Sequence, residues 1–370
     1  MSVPALRFKY FDGREFPEWK SDLLGNYAET ISSGKSNARN ANGGYTLYGS
    51  TGAIGYADKY DYQGEKLLIA RVGANAGYLY LVNGDYCVSD NTLMLSLKAS
   101  NNYSFFFNLL TNTNLNKLVF GSGQPLITGG QLKTLDVAIP SLPEQTKIAN
   151  FLTAVDEKIQ HLTQKADLLA QYKKGVMQQI FSQDLRFKDD DGGEFPEWEE
   201  FSFDDLFFIA NNKKTQIKSS DYLEFGETPV VDQGKKSIVG FTNNKEIYKD
   251  VPVVIFGDHT KILKWVDFKF ASGADGTQVL KSYAKVFLKF GYYALCHIEL
   301  PNLGYSRHMK ELKAQFIFIP QAIEEQTKIA NFLTAIDDKI TQTQTQLAAV
   351  KQYKQGLLQQ KHLCKFLYYL

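Results

Sequence analysis

Two kinds of glycine-containing motif in this 370-residue chain suggest phosphate or cofactor chemistry, and both fail on spacing. Ser-Gly-Lys-Ser at 33–36 resembles the end of a phosphate-binding P-loop, but Glu29 stands where that motif requires its first glycine. The glycine-rich stretches 49–55 and 73–77 lack the GxGxxG spacing that opens a dinucleotide-binding helix, and they are typical of turns. Neither motif predicts a nucleotide site.

The other candidates for catalysis or metal binding are one charged triplet and the histidines. Glu311 and Lys313 form the E-x-K triplet of some nuclease cores, although such triplets are common by chance. The five histidines are not at metal-ligand spacing: His161, His259, His297, His308 and His362. We therefore expect no catalytic residue and no metal site in this chain.

Basic and amide side chains in two stretches have the chemistry needed for DNA binding. Lysine and arginine contact phosphates, and arginine, asparagine and glutamine pair with base edges. Residues 201–320 contain 16 basic and 13 acidic residues, and residues 21–140 contain 8 of each. The predicted DNA-binding residues of the stretch 21–140 are Lys35, Arg39, Tyr48, Ser50, Arg71, Asn75, Asn91 and Gln124. Those of the stretch 201–320 are Lys213, Lys214, Lys235, Lys236, His259, Lys261, Arg307, His308 and Lys310. Any one of these residues, taken alone, also fits an ordinary protein surface.

The bulk composition is that of a globular protein of the reducing cytoplasm. The net charge is +1, which is not the bulk basic bias of a histone-like protein, although a local basic groove remains compatible with it. Three distant cysteines without a CxxC pair predict neither disulfides nor a zinc site. No apolar run is long enough to span a membrane, and the first residues lack the layout of a secretory signal.

An internal repeat organises the chain. The eleven residues EQTKIANFLTA occur at 144–154 and again at 325–335. At the same offset of 181, YKKGVMQQ at 172–179 matches YKQGLLQQ at 353–360. Upstream, LRFKYFDGREFPEW at 6–19 matches LRFKDDDGGEFPEW at 185–198. The stretches between these matches share little, so the sequence predicts one duplicated frame around two different inserts.

Each copy of the frame carries the heptad pattern of a coiled coil. The first seam is Ile148, Leu152, Val155, Ile159, Leu162, Ala166, Leu169, Lys173, Val176 and Ile180. The second seam is Ile329, Leu333, Ile336, Ile340, Thr343, Leu347, Val350, Lys354, Leu357 and Lys361. Both are interrupted at one equivalent position, by Lys173 and Lys354, where the preceding tyrosine is expected to cover the gap.

Local signals predict how these helices begin and bend. Ser141 and Glu144 have the spacing of a capping box at the start of the first helix. Gly175 and Gly356 lie late in each helix, where we expect a bend or a close helix crossing.

The two seams bury each other only if the second helix runs back along the first, so the pair is predicted to be antiparallel. The expected segments are 1–143 (joint and first globular domain), 144–182 (first helix), 183–323 (joint and second globular domain), 324–361 (second helix) and 362–370 (divergent tail). Apolar residues beside the seams would suit helices of a partner protein: Phe151, Leu168, Met177 and Phe332. The alternative is that the helices are only a spacer.

The inserts are predicted to be mixed α/β modules. LLIARVG, YLYLV, TLMLSL, VPVVIFG and FIFIP have the composition of strands, and 103–119 and 282–300 are expected to be helical. The predicted fold class is therefore α/β in the mixed (α+β) sense: two globular domains separated by a pair of long antiparallel α-helices, with a pseudo-twofold internal repeat.

The frame resembles the specificity subunit of type I restriction–modification enzymes over the whole chain. The resemblance rests on LPEQTKIANFL, DEKI, YKKGVMQQIFS, LRF and EFPEW in duplicate order, and also on residues 67–95 and 121–140. It implies that each insert is a target-recognition domain that reads one half of a bipartite double-stranded DNA site. It also implies that the helices set the spacer between the halves.

The resemblance further implies the partners and cofactors. Two modification subunits would dock on the helices, and restriction subunits with motor and nuclease activity would complete the complex. The chain itself would bind no cofactor, because S-adenosylmethionine and ATP with magnesium belong to those partners. The tail 361–370 departs from the pattern, since QQKHLCKFLYYL replaces QQIFSQDLRFK, which leaves docking there in doubt.

Two other functions stay open at this point. One is a two-headed protein-binding scaffold without a role on DNA. The other is a single-chain nuclease that uses Glu311 and Lys313.

Overall fold

A computed structural model describes residues 7–37, 40–120, 126–273, 276–302, 304 and 306–359. The chain forms two compact units, one of Met1–Thr163 with Thr345–Leu370 and one of Gln164–Gln344. Each unit holds one insert, the first half of one long helix and the second half of the other. The division thus falls inside both helices, whereas the sequence suggested a separate segment for each helix.

Unit 1 contains three small sheets and a few short helices. Its strands are β1 (Lys20–Leu23), β2 (Ala28–Ser33), β3 (Tyr45–Gly49), β4 (Gly52–Ala57), β5 (Tyr62–Gln63), β6 (Lys66–Ala70), β7 (Leu79–Val82), β8 (Asp85–Val88), β9 (Thr92–Leu97) and β10 (Asp136–Ile139). Its short helices are α1 (Leu24–Tyr27), α2 (Tyr103–Thr113) and α3 (Gly129–Lys133), with a 3-10 turn at Leu115–Leu118. The strand orders are β2-β9-β6-β7, β4-β3-β8-β5 and β1-β10.

Unit 2 repeats this plan with unrelated residues. Its strands are β11 (Glu199–Ser202), β12 (Phe207–Ile209), β13 (Gln216–Ile217), β14 (Thr228–Val231), β15 (Gly240–Thr242), β16 (Val253–Gly257), β17 (Leu263–Val266), β18 (Ala271–Gly273), β19 (Thr277–Ser282) and β20 (Phe316–Ile319). Its short helices are α5 (Phe203–Leu206), α6 (Leu288–His297) and α7 (Met309–Lys313), with 3-10 turns at Lys213–Thr215 and Ser219–Asp221. The orders β12-β19-β16-β17 and β11-β20 match those of unit 1. The third sheet, β13-β18-β14-β15, keeps a hairpin beside a parallel strand but differs at its edge: β13 precedes the hairpin and pairs parallel to β18, whereas β5 follows the hairpin and pairs antiparallel to β8. The duplication therefore extends to most of the fold of the inserts.

The central strands explain why the insert sequences read as β-structure. Every residue of β9 and of β16 is buried, as are the last four residues of β6. A strand covered on both faces needs a continuous apolar run, which is the pattern from which these strands were predicted. The five predicted strands are confirmed. The helix expected at 103–119 is confirmed over Tyr103–Thr113, after which a 3-10 turn follows at Leu115–Leu118. The helix expected from 282 begins only at Leu288, after β19 has ended at Ser282.

The frame supplies two long helices, α4 (Leu142–Phe181) and α8 (Ile323–Gln359). The capping box predicted for α4 is wrong. The hydroxyl of Ser141 is buried without a hydrogen-bond partner among the described residues. The carboxylate of Glu144 instead accepts hydrogen bonds from Arg7, with distances of 3.3 Å from Nε and 2.9 Å from Nη2.

This arginine–glutamate pair recurs in unit 2, and we call each pair a base clamp. Arg186 Nη2 lies 3.3 Å from Glu325 Oε2, and the indole nitrogen of Trp198 donates to Glu325 Oε1 at 3.2 Å. Both glutamate side chains are fully buried. Each base clamp joins the segment before an insert to the helix that follows that insert.

The two long helices are paired through reciprocal ion pairs. In unit 2, Lys173 lies 2.6 Å from Asp337, and in unit 1, Lys354 lies 2.5 Å from Asp156. Going along α4 from Asp156 to Lys173, the residue number rises by 17. The residues of α8 that they contact go from Lys354 to Asp337, so that number falls by 17. This opposite numbering is that of an antiparallel pair.

Two sequence-based expectations for the helices are wrong in part. Tyr172 does not cover the gap beside Lys173, because it is 53% exposed and an ion pair fills the position. Tyr353 is half-buried and packs edge-on against Phe151 of α4, with ring centroids 6.4 Å apart. Gly175 and Gly356 do not mark a close crossing, because a methyl group at either would meet no atom within 4 Å, and the alternative of a bend stays a prediction. Within the described ranges, no helix is both long enough and apolar enough to cross a bilayer.

Candidate nucleic-acid interface

The loops around the end of β6 bring three of the predicted residues of unit 1 together. Arg71 directly follows β6, and its main-chain nitrogen donates to the carbonyl oxygen of Asn91 at 2.9 Å. The hydroxyl of Ser50 donates to the same carbonyl at 2.6 Å. Ser50, Arg71 and Asn91 thus form one polar surface at the end of the central strand.

The neighbouring turn at 73–77 is held rigidly. Its Gly77 has φ +96°, and a Cβ there would lie 2.7 Å from the main-chain nitrogen of Asn116, so only glycine fits. The amide of Asn116 donates to the carbonyl oxygen of Ala76 at 3.0 Å. Asn75 therefore sits on a turn whose backbone is fixed from below.

The other predicted residues of unit 1 have different settings. Tyr48 is half-buried on β3 and packs edge-on against Tyr86, with ring centroids 6.1 Å apart, so it belongs to the core more than to the surface. Lys35 is exposed on the loop that follows β2. Arg39 and Gln124 lie outside the described residues.

The corresponding turn in unit 2 follows β16 and is organised by Asp258. This buried carboxylate accepts from the main-chain nitrogen of Met309 at 2.7 Å. The main-chain carbonyl oxygen of Asp258 accepts from the main-chain nitrogen of His308 at 2.8 Å and lies 3.0 Å from His308 Nδ1. His308 is only 1% exposed, so it acts as part of the framework under the turn.

A second loop of unit 2, residues 232–236, is locked to that turn. The side-chain oxygen of Gln233 accepts from the main-chain nitrogen of His259 at 3.1 Å, and Thr260 donates to the Gln233 carbonyl at 2.5 Å. Lys261, with φ +60°, directs its ammonium to within 3.4 Å of the carbonyl oxygens of Leu300 and Pro301.

Lys264 supports the 232–236 loop from within the protein. Its ammonium donates to the carbonyl oxygens of Asp232 and Lys236, each at 2.6 Å, and lies 3.6 Å from the Asp232 carboxylate. Burial lowers the pKa of the Lys264 ammonium below its usual value, against the opposing attraction of Asp232. The loop held in this way presents Lys235, which is exposed together with Lys236.

The remaining predicted cations of unit 2 are exposed. Arg307 and Lys310 are exposed on either side of the buried His308, whose ring binds the backbone of the turn after β16. Lys213 and Lys214 lie on a separate 3-10 turn that Asn212 caps through its side chain.

Sequence reasoning missed the residues that shape this surface: Gln233, Asp258 and Lys264. The signal for Lys264 was present, because a lysine stands inside the apolar strand β17, where a buried cation needs partners. Gln233 and Asp258 carried no such signal, since polar residues in loops are ordinary.

The predicted partner-binding residues divide into two groups. Phe151 packs on Phe8, and Phe332 packs on Phe187, with ring centroids 5.6 Å apart in both cases. Met177 is half-buried against the core of unit 2, whereas Leu168 is 56% exposed. Leu168 is thus the member of the set most accessible to another protein.

Of the triplet considered for nuclease chemistry, the lysine forms an ion pair. Lys313 pairs with Asp204 at 2.8 Å, and the main-chain carbonyl oxygen of Glu311 accepts from the side-chain amide of Gln315 at 3.0 Å. No group of His, Cys, Asp and Glu with a metal-binding arrangement occurs in the part of the chain that the structure describes.

Comparisons with known proteins identify the duplicated architecture. A family model described as the type I restriction modification DNA specificity domain matches residues 24–171 and 196–352. The chain is 31% identical over 120 residues to the type I restriction enzyme EcoprrI specificity subunit of Escherichia coli, covering 32% of this chain and 30% of that protein. It is 28% identical over 243 residues to the MjaVIII specificity subunit of Methanocaldococcus jannaschii, covering 59% and 56%.

The fold is also that of a solved protein. The crystal structure of the type I restriction–modification S subunit from M. genitalium superposes with a TM-score of 0.70 at 17% identity, over 97% of this chain and 98% of that one. The sequence matches span between 30% and 56% of the length of the two curated relatives.

Proposed function

The chain belongs to the family of type I restriction–modification DNA specificity proteins, and on this premise we propose that it selects the DNA sequence on which a modification and restriction complex acts. The family is one of non-catalytic specificity subunits. Each insert reads one half of a bipartite site in double-stranded DNA, and the two long helices set the unread gap between the halves.

The observation that carries the proposal is the equivalent loop surface in the two units. In both, the central strand ends in a fixed turn beside polar side chains: Ser50, Arg71 and Asn91 in unit 1, and Lys235, Lys236 and Arg307 in unit 2. Arginine and asparagine can read base edges, and the lysines supply phosphate contacts. Apart from one arginine in each, the two surfaces carry different side chains, as expected of two readers of unlike half-sites.

Partners supply the chemistry. Two modification subunits dock on the helices, where Leu168 is exposed, and they bring S-adenosylmethionine for adenine methylation. Restriction subunits bring ATP and magnesium. This chain contributes the choice of sequence and the geometry, and its partners contribute the reaction.

A module exchange tests the proposal. Residues 21–140 are replaced by the corresponding insert of another family member, and the methylated adenines are mapped across a host genome by single-molecule sequencing. One half of the methylated sequence should change while the other half and the gap persist. A change in both halves, or in neither, contradicts the proposal, and a complex that shows no salt-dependent affinity for duplex DNA favours the protein-scaffold alternative.

A further inference from the structure

Each ion pair between the long helices includes a lysine of a seam. Lys173 is the only non-apolar residue of the first seam, and Lys354 is its equivalent in the second seam, 181 residues later. Each lysine reaches an aspartate of the other helix, and Asp156 and Asp337 are themselves equivalent in the repeat. The side chains of Lys173 and Asp337 are 22% and 33% exposed, and those of Lys354 and Asp156 are 24% and 48% exposed.

Partly buried ion pairs are a weak source of stability. Removing two charges from water offsets much of their attraction, and apolar residues at the same positions are often as stable or more so. A polar residue in a coiled-coil seam is instead known to specify alignment, at some cost in stability. The two pairs are therefore better explained by selection of alignment than by strength.

The repeat makes this selection sharp. One antiparallel register satisfies both pairs at once. A slip by one heptad would place Lys173 opposite Ala330 or Gln344, and Lys354 opposite Ala149 or Thr163. A parallel pairing of the equivalent seams would place the two lysines against each other. Each alternative leaves two partly buried cations without a carboxylate.

In unit 2 the pair is also tied to the insert. The hydroxyl of Tyr293, a buried residue of α6, donates to Asp337 Oδ2 at 2.8 Å. Lys173 Nζ lies 5.1 Å from the centroid of the Tyr293 ring, as in a cation–π contact. The alignment of the helices and the position of the second insert are thereby coupled.

We propose that Lys173–Asp337 and Lys354–Asp156 are register-determining pairs that fix the direction and alignment of the two helices and, through them, the length of the unread gap. The second half of this inference rests on the proposed function. A slip of one heptad moves one helix along the other by about 10 Å, which corresponds to about 3 base pairs of duplex.

The test replaces both pairs with neutral residues of similar shape: Lys173→Met, Lys354→Met, Asp337→Asn and Asp156→Asn. The asparagine at 337 keeps an acceptor for Tyr293. The gap in the methylated sequence should change from one length to several, separated by about 3 base pairs. The control is the surface pair of unit 2, Lys313→Met with Asp204→Asn, which should leave a single gap.

A rescue variant separates alignment from general damage. In the background with Lys173→Met and Asp337→Asn, only the Lys354–Asp156 pair remains. Adding Asp156→Lys places two lysines together and should give several gap lengths. Adding Lys354→Asp to that variant makes the pair complementary again and should restore one gap length. Neutral variants that retain a single gap of unchanged length, with unchanged helical circular dichroism, would overturn the inference.

A measurement without DNA keeps the inference separate from the proposed function. Spin labels at His161→Cys and Gln352→Cys, both exposed in unit 1, report the alignment in a variant that also carries Cys296→Ser and Cys364→Ser. The parent should give one narrow distance, and the neutral variant should add further distances. One narrow distribution of spin-label distances in both the parent and the neutral variant would contradict the register role. The absence of a bipartite methylated site in the parent would contradict only the proposed function.

Discussion

The ammonium of Lys264 lies 2.6 Å from the main-chain carbonyl oxygen of Asp232, at the start of the loop that presents Lys235. It makes an equally short bond to the carbonyl of Lys236, at the end of that loop. One largely buried side chain, 10% exposed, thus closes both ends of a five-residue turn. The placement of two exposed lysines therefore depends on a third lysine that lies mostly beneath the surface.

The first prediction concerns DNA affinity. Lys235→Ala with Lys236→Ala removes two proposed phosphate contacts, so the negative slope of log K against log salt should become shallower by about 2 for the assembled complex. Lys264→Met should change the slope in the same direction, because the loop loses its support while both cations remain. Binding titrations at four salt concentrations measure the slope. Lys218→Ala, an exposed lysine of the same unit, is the control, and an unchanged slope in the double variant would exclude this loop from the interface.

The second prediction concerns pH. Burial lowers the pKa of Lys264 in the folded protein, whereas the unfolded chain keeps the usual 10.5. Between these two values the unfolded state binds more protons, so the free energy of unfolding rises with pH in that window. The rise should be absent in Lys264→Met. Denaturant titrations of both proteins at several pH values up to 10.5 compare the slopes, and parallel curves would contradict the assignment.

The third prediction concerns the base clamp of unit 2. Glu325→Ala leaves the guanidinium of Arg186 and the indole nitrogen of Trp198 without their buried acceptor, so the free energy of unfolding should fall by about 3–5 kcal/mol. Glu197 is the matched control, because it contacts the same arginine at 3.4 Å but is 86% exposed. Glu197→Ala should cost about 0–1 kcal/mol. Equal losses in the two variants, by denaturant titration, would refute the central role of Glu325.

The fourth prediction concerns the helix glycines. Gly175→Ala adds a methyl group where no atom lies within 4 Å, and alanine has the higher helix propensity. The free energy of unfolding should rise by up to about 1 kcal/mol. Gly291→Ala, in α6, should do the opposite, because its Cβ would lie 2.7 Å from Phe207 Cε1. Thermal unfolding followed by circular dichroism distinguishes the two, and destabilisation by Gly175→Ala would show that the site is crowded.

The frame was accessible from sequence because its signals are periodic. The seam from Ile148 fixed the first helix to within two residues of Leu142–Phe181, and the alternation-free apolar runs located β6 and β16. The start of the first helix was harder to predict. Glu144 binds Arg7, which lies 137 residues away, in place of the capping-box contact, and a local sequence pattern does not include such a distant partner.

The candidate site was accessible only in part. Residue chemistry selected Arg71 and Asn91, which a strand pairing brings together. The same chemistry selected His308, which is buried because its ring binds the backbone under a turn. Composition does not distinguish an exposed basic side chain from one that holds a loop from inside. That distinction depends on which loops contact each other in the folded protein.

The base clamps have a consequence for how such chains change over time. Arg7 and Glu144 are 137 residues apart, and Arg186 and Glu325 are 139 apart, yet each pair meets in one buried contact. Each insert is therefore closed at its base by one buried contact that holds the entering chain and the leaving helix together. Residues between the two ends of the clamp can change without loss of this closure, except where they pack on the long helices as Tyr293 does. This is a physical reason why the joint and the start of each helix are nearly identical in the two copies while the inserts differ.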